Sequence, residues 1–382
     1  MRVFLQTSVT SSLGDDSTGT LSSAIDTVNA TPSTGPIQII SGVTPTLTTS
    51  PFDTITTNMT IESDVSGNSR TINGNNVTAG INITGGAATL SSDIMLENAD
   101  ISVVGSGGFL TYSGPNNWIN GPSVTLQEGT LYVSLGTSFP VLPGNIYLAE
   151  VGIIAATSGP YNGVFSGQIS EITANSILTI NNLNPFLDNR TSANNWTGGT
   201  NLINSDLTVN TSASFPSTGN IYLDNSELIF SLASSDTYTG SGTIEGVGSF
   251  GELGINSGTI NLLGSIMDIS SIYCYGGIVN LSGSITNVTQ IVANSGRLTL
   301  ANTVTNSQLT INNGTMILSG ANASNSLIIN MEDGTGRLEL LSSIGSGSSL
   351  FIDLATATIQ VSADVTMNTQ STIDSSTLAF FS

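Results

Sequence analysis

The hydrophobic and polar positions of the C-terminal half recur as a short motif: a glycine, then an alternating run with apolar side chains at the second and fourth positions after it. The copies are 258–262 (GTINL), 277–281 (GIVNL), 296–300 (GRLTL), 314–318 (GTMIL) and 336–340 (GRLEL), and 129–133 (GTLYV) repeats the theme upstream. Starts of the five successive copies lie 19, 19, 18 and 22 residues apart. Alternation with period two after a turn glycine predicts a strand with one buried face. A unit of about 20 residues holds three short strands and three turns, and it can bury its apolar face only inside a stack of such units. The pattern predicts an all-β fold, a right-handed parallel β-helix (β-solenoid) with coils of about 20 residues.

A longer duplication lies across the coils. Asn116, Asn117 and Trp118 match Asn194, Asn195 and Trp196; Ser138, Phe139 and Pro140 match Ser214, Phe215 and Pro216; 144–148 and 219–223 share GNIYL; the offsets are 78, 76 and 75 residues. This reads as a copied block of about four coils. Between the copies, residues 157–196 break the rhythm with SGPYNG and NNLNPFLDNR, which predicts a segment that protrudes and carries specificity. Near the N-terminus Leu21, Ala24, Ile25 and Val28 follow helical spacing after Thr20, a suitable N-cap. The domain reading is an N-terminal segment over 1–36 with a short capping helix, then a continuous solenoid over 37–382.

Composition narrows the function classes. Only 8% of residues are charged while 38% are hydrophobic, so the chain can bury a core. Its 26 acids face five arginines, with no lysine or histidine, for a formal charge of -21. Nucleic acid and anionic lipid are not expected as partners, because both require basic patches. Missing lysine and histidine removes the commonest general bases and imidazole ligands, so no cofactor or metal is expected. Cys274, alone between tyrosines, reads as a buried strand residue. Residues 1–10 lack the apolar core of a signal peptide, and no stretch approaches the about 20 apolar residues of a membrane span. No direct membrane insertion is expected, and the chain reads as a fragment of a longer protein.

The order of Thr20 and Leu21, Ala24 and Ile25, Thr60 and Ile61, then Asn73 and Gly74, together with the glycine-led coils, resembles a bacterial autotransporter passenger or a polymorphic outer-membrane-protein passenger. Tetrapeptides typical of the polymorphic group are approached at 85–88 (GGAA) and 186–189 (FLDN). The resemblance implies secretion or display on the extracellular face of a bacterial outer membrane. It also implies a non-enzymatic adhesin or display rod that binds host, sibling-cell or matrix components, protein or glycan.

Two alternatives remain open on the residues alone. A carbohydrate-active β-helix enzyme would have to use carboxylates only, with the pairs Asp15 and Asp16, Glu62 and Asp64, and Glu332 and Asp333 as candidates. Each pair reads first as solvated turn or strand acids, which are far commoner than catalytic dyads. Serine hydrolase chemistry fails because Gly-x-Ser-x-Gly is absent and nothing can activate the serine. The other alternative is a self-associating structural fibre. Candidate ligand contacts are Tyr161, Phe165, Phe186, Arg190 and Trp196, since aromatic faces beside polar groups suit sugar rings; packing inside coils is the competing reading.

Overall fold

The computed structural model describes residues 7–381 apart from 13–19, 33–35, 48–50, 65–69, 74–79, 85, 91–93, 98–99, 106, 113–117, 120–122, 134–140, 143, 157–160, 188–192, 249, 321–326, 333–334, 345–347, 354–355, 363–369 and 374–376. The chain is an all-β parallel solenoid of about 11 turns, with coils of about 22 residues and one short N-terminal helix. It forms two compact units, residues 1–198 and 199–382.

In the first unit the helix spans Leu21–Ala30, and the Thr20 hydroxyl accepts the Ser23 amide at 3.2 Å. Leu21 and Ile25 meet Phe52, Ile55, Ile61 and Ile83 in the interior, so the apolar stripe covers core that would otherwise face water. One parallel sheet runs through Met59–Ser63, Ala87–Leu90, Phe109–Tyr112, Thr130–Val133, Val151–Ala156 and Ile177–Asn181. A second contains Ile81–Thr84, Asp100–Val104, Ser123–Gln127, Asn145–Ala149 and Ile169–Glu171. Within 157–196, Tyr161–Phe165 pairs with Leu183–Leu187, Ile169–Glu171 with Asn145–Ala149, and Ile177–Asn181 with Val151–Ala156. Those residues are built into the coils.

The second unit has three parallel sheets. The first holds Gly199–Ile203, Asn220–Asp224, Ile244–Gly246, Ile266–Met267, Ile285–Thr286 and Val304–Thr305. The second holds Asp206–Val209, Ser226–Ser231, Gly251–Ser257, Ser271–Cys274, Gln290–Ala293, Gln308–Ile311, Ile328–Glu332, Ser349–Asp353 and Gln370–Ile373. The glycine-led strands stack in the third. There Thr259, Ile278, Arg297, Thr315 and Arg337 are successive register partners, in steps of 19, 19, 18 and 22 residues that equal the glycine spacing. Ile260, Val279, Leu298, Met316 and Leu338 fill the interior of this stack.

Corners of one to three residues join most of these strands of the first sheet to the second, and a left-handed residue opens each. Asn204, Asn225, Asp268, Asn287 and Asn306 take that place, with φ between 48° and 57°. Short polar side chains tolerate this left-handed conformation because they bond locally. Here they bond to one another across coils: Asn225 Nδ2 to Asn204 Oδ1 at 3.0 Å, Asn287 to Asp268 at 2.9 Å, and Asn306 to Asn287 at 2.8 Å.

The two GNIYL copies keep the same alternation, with Ile146, Leu148, Ile221 and Leu223 all buried. Phe215, from the second copy of the Ser-Phe-Pro run, packs in the core against Phe230 and Tyr238 at centroid distances of 6.1 and 5.9 Å. Residues 116–117 and 138–140 of the first copy lie outside the described residues. Cys274 is buried, and burial pushes its thiol up to about 11.

Candidate functional site

Side chains of the second sheet in the second unit alternate between core and exterior. Leu207, Leu228, Leu253 and Ile272 point inward and are fully buried. The residues just before them therefore face out, and register aligns Asp206, Glu227, Glu252 and Ser271 in one row. Neighbouring strands are about 4.8 Å apart, which sets three carboxylates side by side. Arg297 and Arg337 lie on the third sheet, where Arg337 Nε is 2.8 Å from Glu339 Oε1.

This arrangement changes the acids. Burial, then the charges of Glu252 and Asp206, raises Glu227 from 4.5 to about 7. Glu252 is also raised, by burial and by Asp206, against a lowering hydrogen bond from Ser271. Glu227 leans over Gly254, where an added Cβ would lie 2.7 Å from its Oε1. Tyr273 on the next strand and Tyr275 just past its end stack their rings at 5.4 Å and 16°, and Tyr275 is 41% exposed. Burial and the nearby charges of Glu252, Tyr273 and Glu227 push the Tyr275 hydroxyl upward. Chemically the face offers a carboxyl that holds its proton near neutrality, a second carboxylate one strand away and an aromatic edge.

The ligand contacts singled out from sequence belong to the first unit. Phe165 is 3% exposed and Trp196 is fully buried, so both rings serve packing. Phe186 is half-buried on Leu183–Leu187, and Tyr161 opens the neighbouring strand opposite Leu183. Arg190 lies outside the described residues, as do Asp15, Asp16 and Asp333. Glu62 accepts a hydrogen bond from Gln38 Nε2 at 2.8 Å, and Asp64 from the Ser41 amide at 3.2 Å. Both thus tie one coil to the next. Glu332 ends the strand Ile328–Glu332, exposed. Among the described residues no group of three or more metal-ligating side chains is present.

Sequence reasoning missed the row of Asp206, Glu227 and Glu252. The signal that could have found it is the corner asparagine: Asp206 and Glu227 each stand two residues after one, at Asn204 and Asn225. Glu252 breaks that rule, because the corner there is Gly248, with φ 96°, four residues ahead of it. No family model matches this chain, nor does any curated protein or solved structure.

Proposed function

We propose that the chain is a non-enzymatic adhesive or display solenoid, secreted or held on the extracellular face of a bacterial outer membrane in the manner of an autotransporter or polymorphic outer-membrane passenger. Its partners are surface proteins or glycans of host cells, sibling cells or matrix. The observation that supports this reading is the division of each coil in the second unit. Inward positions are mostly Leu, Ile and Val, while outward rows such as Thr239, Asn261, Asn280 and Thr299 are uncharged and polar. A stacked core of this kind supports a lateral surface without disulfides, which is compatible with export. Uncharged hydroxyls and amides offer many hydrogen bonds at a lower desolvation cost than charged groups. The full chain, immobilised on beads, is expected to capture host or sibling cells or matrix proteins above a bare-bead control. Capture at the control level for all of them would remove the reading.

One observation favours a second reading, a carbohydrate-active enzyme working with carboxylates alone. Glu227, held near 7, has the proton affinity of a general acid, and Glu252 stands on the adjacent strand. Adjacent strands at about 4.8 Å bring two carboxyls into the range of a retaining pair, about 5 to 5.5 Å. This reading requires reducing-end release from a polysaccharide panel that Glu227→Gln abolishes. Zero release by the unmodified chain decides against it.

A further inference from the structure

A depression of about 340 Å³ opens on the outer side of the first sheet of the second unit, lined by Asn201, Leu202, Ile203, Tyr222, Asp224 and Val247. Register explains it. Asn201 pairs with Tyr222 and Ile203 with Asp224, so an aromatic and a carboxylate stand on one strand with an amide and an aliphatic chain beside them. The following strand, Ile244–Gly246, is short and ends opposite Leu223. Beyond it the Val247 amide donates to the Leu223 carbonyl at 2.8 Å, and Gly248, whose added Cβ would lie 3.3 Å from Asp224 Oδ1, sets no side chain over the carboxylate. The hollow is therefore left open above Asp224, with Val247 as a 46% exposed rim.

We propose that this depression is a saccharide subsite that takes one neutral hexopyranose unit of a glycan. The inference rests on the adhesive reading and gives its partner a chemical class. A pyranose ring has apolar C–H faces and a belt of hydroxyls. Tyr222, Ile203 and Val247 supply the apolar contact, while Asp224 accepts from hydroxyl groups and Asn201 adds polar surface beside them. The hollow lies in the size range of small-ligand sites. Charge selects within the class: Asp224 and Glu245, which pairs with Tyr222, repel uronic and sialic acids.

Saturation-transfer NMR on the full chain, with maltotetraose, mannotetraose and β-1,4-galactotetraose as neutral probes and tetragalacturonate as the anionic one, tests this. At least one neutral probe is expected to bind and tetragalacturonate to fail. Tyr222→Ala is expected to weaken the neutral probe about tenfold or more. Val247→Trp, at an exposed rim position, is expected to block binding without lowering the melting temperature, so loss of fold is separable from loss of site. Absence of binding by all three neutral probes, or binding indifferent to both substitutions, overturns the subsite. Cell capture by the same proteins separates the two readings. Capture that persists without sugar binding rejects the subsite and leaves adhesion standing; sugar binding without any capture does the reverse.

Discussion

Glu227 stands between two other carboxylates, Asp206 and Glu252, on a face where burial already disfavours charge. Its native value of about 7 exceeds the unfolded value near 4.5, so the folded chain holds a proton that the unfolded chain has released. The contribution to stability is greatest below 4.5, is lost as pH rises from 4.5 to 7 and changes no further above that. Glu227→Gln keeps the shape and removes the charge. It should flatten the pH dependence of the urea midpoint over this window and raise stability at about pH 8 by about 1 kcal/mol, a figure reduced for the partly exposed side chain. A midpoint that falls with pH as steeply in the variant as in the parent would show that the effect lies elsewhere. Single side chains of this face were not legible in the sequence. Glu252 follows Glu227 by 25 residues and Glu227 follows Asp206 by 21, so no fixed spacing links them.

Strands and turns obey a stricter rule, because each must fit the copy one coil away. Gly242, Gly264 and Gly283 stack at one turn, and a Cβ at Gly264 would lie 2.0 Å from the Gly242 carbonyl oxygen. Backbone cannot yield to that contact without shifting the coil. Gly264→Ala should destabilise the protein by about 1–3 kcal/mol in chemical denaturation. Gly254→Ala is the matched control, since its Cβ would crowd the flexible end of Glu227 and touch Ile229 Cγ1 at an ordinary 3.7 Å, and little change is expected. Equal losses for the two would contradict the packing account. The strand elements were the most legible part of the chain. Glycine-led alternation located the third sheet and its register, and the spacing of Leu21, Ala24, Ile25 and Val28 located the helix. Residues 157–196 were less legible: they carry turn residues that interrupt the alternation, yet Leu183–Leu187 includes Pro185 and still pairs along its length with Tyr161–Phe165.

The whole chain carries 26 acids against five arginines, and a formal charge of -21 acts against any compact state. Added sodium chloride screens that repulsion beyond about 10 Å at 0.1 M. The melting temperature of the full chain is therefore expected to rise with salt, by calorimetry at neutral pH, and to rise less at about pH 4, where carboxylates begin to protonate. A melting temperature that falls with salt at neutral pH would mean that specific ion pairs outweigh net repulsion. The same charge balance bears on partners, because a neutral glycan approaches this surface without the penalty that an acidic one meets.

Coil period, inward and outward alternation and the capping helix were determined by the order of amino acids, since each depends on residues within one coil or on the identical position in the next. Which outward residues become neighbours was decided by the tertiary structure. Coils differ in length through their turns, so stacking alone aligned Asp206 with Glu227 and Glu252, left the hollow beside Tyr222 and Asp224, and turned Phe165 and Trp196 into the core.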